Sequence, residues 1–287
     1  VMEDWAAITL SHCQTILDRI PIQESKILAC VAQQKPSDAI AIGLESLKLL
    51  GVDIPFSPTD EQFQQALQTT LTQMEQVDLE NLLDLPPMDN PEIEAAAGIL
   101  IKIGPACLGS NPLLYLMTTL AQVQIALKHG HDALSAIGYS NYVILLNIVL
   151  KDFDTAFRLS DIALELCQQF FSKAAAAQAL TMIGIFARHW KLHLRETLPL
   201  LRQGTEYGME SGEYDMTSWG YFNEGWILYL LGTQLSELKV LLQNNSDAIA
   251  QIKQSTQLGY NEALRQATLN LLGEEVQDIC TLTGSVF

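Results

Sequence analysis

The stretch LKDFDTAFRLSDIALEL, residues 150–166, decides the fold class. Phe153 stands at a turn. Ala156 and Ala163 then place small side chains two helical turns apart on one face, where a second helix can approach closely. QKPSDAIAIGLESLKLL, residues 34–50, repeats the arrangement with Ala39 and Ser46 at the small positions. Working outward from these two stretches, apolar residues recur at three- and four-residue spacing through nearly the whole chain, interrupted by short polar or Gly/Pro punctuation.

The spacing within each stretch is that of the turn and second helix of a tetratricopeptide unit. The turns near Lys151, His189 and Gly232 recur at roughly 40-residue intervals, inside the range of helical repeats. A hairpin of that size has too little core to stand alone and must bury its apolar face on its neighbours. The expectation is an all-α, degenerate tetratricopeptide-like helical-hairpin solenoid. Composition agrees: 48% of the 287 residues are hydrophobic, while 17 Gly, 10 Pro and 7% aromatics suit helices better than strands and tight turns.

The predicted helices begin with residues 5–20 as one helix, then 22–34 and 36–51 as a hairpin ended by Gly51. Ser57 and Pro58 are read as the start of a helix that runs to Val77. Residues 78–91, DLENLLDLPPMDNP, hold three prolines and no dependable period. They are read as an acidic, proline-rich connection between N-terminal hairpins (1–77) and a C-terminal array (92–287). In that array the expected helices are 92–104, 112–128, 132–150, 153–171, 173–190, 192–211, 216–231 with Asp215 as N-cap, 235–255 and 261–272.

Charge narrows the partners. Sixteen Lys and Arg against 33 Asp and Glu give a formal charge of −17, a field that repels phosphate backbones and anionic membranes. No nucleic acid is expected as a partner. No membrane insertion is expected either, because no run approaches the roughly 20 uninterrupted apolar residues of a span. The five scattered cysteines read as small core residues in a reducing, cytoplasmic compartment. A start on Val1 reads as an excised piece.

Catalytic motifs are missing from the sequence. It has no GxxxxGK[ST], GxGxxG or GxSxG, and no HExxH. His189 and His193 are four apart, the spacing of two ligands on one helical face, but the repeat phasing puts a turn near Trp190 and Lys191. No metal site, cofactor or catalytic residue is assigned. In place of a metal site, Trp190 is expected between hairpins, with Arg188, Lys191 and Arg195 as surface cations and Glu196 as their ion-pair partner. His129 to His131, HGH, read as a polar turn.

Two groups remain as candidates. Trp219, Phe222, Trp226 and Tyr229 follow three- and four-residue steps, which read first as a core stripe and second as an aromatic-lined groove, with Tyr221 and Asn223 as polar lining. From Leu49 to Ile101 there is no Lys, Arg or His. Asp78, Glu80 and Asp84 in that run, and Arg188, Trp190, Lys191 and Arg195 elsewhere, are candidate interdomain contacts.

LKLLGVDIP (47–55), LENLLDLPPMDNPE (79–92), RHWKLHLRETLPLL (188–201) and YNEALRQATLNLLG (260–273) together resemble the long helical region of large bacterial multisensor signal-transduction proteins. In those proteins the region lies between a predicted ATPase and a GAF sensor, with Ser/Thr kinase and histidine kinase modules farther out. The resemblance implies a non-catalytic scaffold inside a kinase chain, contacting other domains of the parent or another protein and relaying signal. A small-ligand-binding sensory module of the same protein is the alternative. None of that family's catalytic motifs falls here, so the resemblance assigns no catalytic residue.

Overall fold

The computed structural model describes residues 2–274 together with Cys280, Leu282 and Val286. Apart from a bridge between Pro87 and His131, every regular element among the described residues is helical. The α-helices are α1 (Met2–His12), α2 (Ile16–Ala32), α3 (Pro36–Leu49), α4 (Asp60–Val77), α5 (Pro91–Ser110), α6 (Pro112–His129), α7 (Ala133–Leu145), α8 (Phe153–Gln169), α9 (Lys173–Phe186), α10 (Leu198–Ser211), α11 (Tyr214–Leu230), α12 (Leu235–Gln251) and α13 (Ser255–Leu272). The chain divides into two compact units, 1–145 and 146–287. That division differs from the expected boundary at 78–91, which lies inside the first unit.

Local chemistry sets the helix ends. Thr15 and Thr59 each form a capping box, with Asp18 and Gln62 at the third helical position reaching back to the cap. Asn90 and Asn111 cap α5 and α6, each followed by a proline whose missing N–H costs nothing there. At the other end of α3 the Gly51 N–H donates to Lys48 O and the Val52 N–H to Leu47 O, a Schellman turn. The same pair of bonds closes α11 at Gly232. Gln34 and Lys253 close α2 and α12 with positive φ.

Several expected boundaries move for identifiable reasons. The break expected at Pro21 falls at residues 13–15, because the Thr15 box starts a new helix and α2 runs through the proline. Likewise α5 passes Pro105 and ends at Ser110. The cap of α4 is Thr59, with Ser57 and Pro58 outside the helix. Glu213 occupies the N-cap position of α11, and Asp215 lies within its first turn. Residues 146–150 wind as a π-helix beyond α7.

In the first unit α5 packs on both α2 and α7, forming one layer; α3 packs on α2 and α5, and α6 on α5 and α7, as a second. The core between them holds Ile27, Leu47, Ile99, Leu100, Ile103 and Leu114, all fully buried. Helix α4 packs on α6, where Gln124 Nε2 donates to Thr70 Oγ1 at 2.9 Å. Residues 79–84 of the connection form a 3-10 turn with Leu82 buried. Beyond it the His131 N–H donates to Pro86 O and the Met88 N–H to His131 O, each at 2.8 Å. HGH is therefore an anchor, with His131 buried, in place of the expected polar turn.

By length and mean hydropathy Pro91–Ser110 and Ala133–Leu150 are apolar enough to cross a membrane, though polar residues interrupt both, and 50% and 61% of their most apolar windows, respectively, are buried inside the fold.

The second unit repeats the two-layer plan. Helix α11 touches α9 and α13, making the odd-numbered helices one continuous layer. Helix α10 packs on α9 and α11, and α12 on α11 and α13. The helices approach on small residues: a Cβ on Gly208 would stand 2.3 Å from Thr217 Oγ1, and one on Gly220 2.1 Å from Thr205 Oγ1. Ala156 and Ala163 are buried, as are Ala39 and Ser46 in the first unit.

Candidate functional site

Helix α11 carries two faces. The face buried against its neighbours consists of Thr217, Ser218, Gly220, Gly225 and Ile227. The aromatic residues stand off it as a stripe that is half-buried at Trp219, Phe222 and Tyr229 and exposed at Trp226. Phe222 and Tyr229 pack against the cluster of Leu238, Leu242 and Leu264. Trp226 is 42% exposed, and Leu230, one turn farther on, is 54% exposed.

A fifth ring completes the row from another helix. Tyr260 of α13, 53% exposed, lies 5.7 Å from Trp219 and 5.6 Å from Phe222 between ring centroids. Phe222 is 6.4 Å from Trp226, and Trp226 is 6.0 Å from Tyr229, with interplanar angles of 27° and 22°. The result is an open row of rings along the odd-helix layer. Asn223 donates from Nδ2 to Trp219 O of its own helix, so its amide is spent within α11. The Tyr221 hydroxyl is pushed to a higher pKa, first by burial and then by Glu224; Tyr221 O accepts from Asn245 Nδ2 of α12. The Tyr221 bond is thus made by its main-chain carbonyl, and the side chains of Tyr221 and Asn223 are half-buried.

At the start of the row Asp215 Oδ1 accepts a 2.7 Å hydrogen bond from Gln257 Nε2. Burial raises the pKa of the Asp215 carboxyl, and the Gln257 bond opposes that rise. Gln257 and Tyr260 were not singled out by the sequence, and Asp215 only as an N-cap. Tyr260 falls outside a helix expected to begin at Asn261, and no local motif marks a residue whose partners lie some forty positions away.

The hairpin at 186–198 turns in the region where the repeat phasing puts a turn, but its turn is longer than the expected break at residue 191. Helix α9 ends at Phe186; residues 188–190 and 194–197 form separate 3-10 turns. His189 and His193 therefore share no helical face. His193 Nδ1 accepts the Arg195 N–H at 3.2 Å, and burial lowers the pKa of His189. No group of three or more metal-ligating side chains occurs among the described residues.

Arg188 and Lys191 of this hairpin are engaged with α8 instead of Glu196, while Arg195 is exposed. Arg188 pairs with Asp161, donates to Ser160 Oγ at 3.3 Å, and lies 4.6 Å over the Phe157 ring. Lys191 pairs with Asp154, and Trp190 stacks on Phe153 at 4.4 Å while remaining 48% exposed. The sequence's turn aromatic thus acquires a ring partner. Asp78 lies in the other unit and caps the 3-10 turn that contains Glu80 and Asp84, accepting the Glu80 N–H.

No family model, curated protein or solved structure matches the chain.

Proposed function

We propose that the chain is a non-catalytic helical-repeat scaffold, tetratricopeptide-like in its hairpins, that docks a protein segment on its odd-helix layer. The observation that carries this reading is the open row Tyr260, Trp219, Phe222, Trp226 and Tyr229. Clustered aromatic side chains that stay partly exposed offer large contact area at low conformational cost, the composition of binding hot spots. Two-layer packing with small residues at the close approaches supports repeat hairpins. The resemblance to the helical region of multisensor signalling kinases supplies the setting: a cytoplasmic segment between ATPase and sensor modules, contacting other domains of its parent or a separate protein.

An array of extended decapeptides tests the reading. The full chain is expected to bind a subset of them, and Trp226→Ala to weaken that binding by roughly tenfold with an unchanged melting temperature. A sensory module would behave otherwise: no peptide bound, and stabilisation by a metabolite of about 2.7 kcal/mol at a hundredfold excess over Kd.

A further inference from the structure

The aromatic row is charged at one end. Asp215 lies one turn before Trp219 on α11, and Gln257 one turn before Tyr260 on α13. The Gln257–Asp215 bond and the Trp219–Tyr260 contact therefore form successive rungs between the two helices, a carboxylate rung followed by an aromatic one. Glu213, at the N-cap position of α11, accepts from Gln178 Nε2 of α9 at 3.1 Å. Asp215 and Glu213 thus each take an amide donor, and among the described residues neither pairs with a cation.

Three cations of this part of the fold are already neutralised, while Lys253, in the turn before α13, is exposed and without an ion pair among the described residues. Lys173 pairs with Glu210, Arg202 with Glu224 and Arg265 with Glu262. Helix α11 itself has no Lys, Arg or His. The charge left over beside the rings is negative, and rings of this kind attract cations through their faces.

Building on the docking reading above, we infer that this face binds an arginine-bearing extended segment of a partner protein. The guanidinium lies against Trp219, Tyr260 and Phe222 with Asp215 as its counter-charge. Arginine suits the site better than lysine because its flat, weakly hydrated head stacks on aromatic rings while its edge donates to a carboxylate. Trp226 and Leu230 take the apolar residues beside it.

The test uses the full chain and two synthetic decapeptides of prolines and leucines, one with two arginines and one with citrulline in their place, titrated by calorimetry. Citrulline keeps the shape and removes the charge. The arginine peptide is expected to bind roughly tenfold more tightly. Asp215→Asn, which keeps an acceptor for Gln257, should narrow the gap between the two peptides to the part the rings supply; Tyr260→Ala and Trp226→Ala should weaken both.

Equal affinities in the wild type, or no effect of Asp215→Asn, would overturn the arginine assignment. If Trp226→Ala still weakened both peptides in that case, the docking reading would stand without it. Binding of neither peptide, while other decapeptides of the array bind through Trp226, would overturn the arginine assignment alone. Failure of every peptide would overturn both readings. Self-association of the pure protein that Trp226→Ala abolishes would give the face to a second copy and overturn the arginine segment.

Discussion

The Nε2 atom of His131 lies 2.8 Å from the Tyr139 hydroxyl, inside the first unit, with the two rings edge to face at 5.5 Å. The other ring nitrogen, Nδ1, is buried without a partner. Burial holds the imidazole neutral by lowering its pKa from 6.5 to about 4. In the unfolded chain the same ring takes up a proton near pH 6.5. Stability from this residue is therefore complete above about pH 6.5 and lost progressively as pH falls through about 4, on the order of 3 kcal/mol in all. Urea titrations between pH 7 and 4 check this: His131→Gln should flatten the acid limb of the stability profile, and an unchanged slope would remove His131 as its cause.

Gly130 has φ +91°, and a Cβ there would stand 2.0 Å from Pro86 O. The residue thus needs both the left-handed region and the absence of a side chain. Gly130→Ala should lower stability by about 3 kcal/mol through strain and the forced movement of residues 86–88. Proteolysis should then cut within residues 78–91 faster than in the wild type. Wild-type stability in the variant would mean that the anchor at His131 contributes little.

Helix ends with strong local chemistry were legible in the sequence. Val77, Gly51 and Gly232 end helices where their neighbours imply, and Pro112 starts one. The two errors at Pro21 and Pro105 share a cause. A proline inside a helix removes one hydrogen bond and crowds the preceding turn, and burial of Ile20, Ile27, Ile103 and Cys107 around those positions outweighs that loss. The break at residues 13–15 carries no Gly or Pro and depends on Asp18 reaching back three residues. Four of the five rings in the aromatic row were visible because they lie on one helix. Tyr260 and Gln257 were not, since their role depends on α13 lying beside α11.

The corrected start of α4 predicts a contrast between two neighbouring hydroxyls. Thr59 Oγ1 accepts the Gln62 N–H at 3.2 Å, and the Thr59 N–H donates to Gln62 Oε1 at 2.9 Å. Thr59→Ala should therefore cost about 1 kcal/mol. Ser57→Ala, outside the helix, should change stability by less than about 0.5 kcal/mol. Chemical denaturation of both variants decides the matter, and a larger loss at Ser57 would restore it as the cap.

The two cations of the 188–191 turn should differ for the same reason that their surroundings do. The Arg188 side chain is 16% exposed, paired with Asp161 and laid over Phe157, whereas the partner of Lys191, Asp154, is 86% exposed. Removing Arg188 leaves Ser160 and one side of Phe157 uncovered and takes away a partly buried charge pair, so Arg188→Ala should cost about 2 kcal/mol. Lys191→Ala breaks a pair that water screens, and should cost no more than about 0.5 kcal/mol, less again at high salt. Arg188→Lys separates charge from shape: an ammonium can still meet Asp161 but does not lie flat on the ring. It should recover only part of the loss, and full recovery would show that the contact with Phe157 adds nothing to the ion pair.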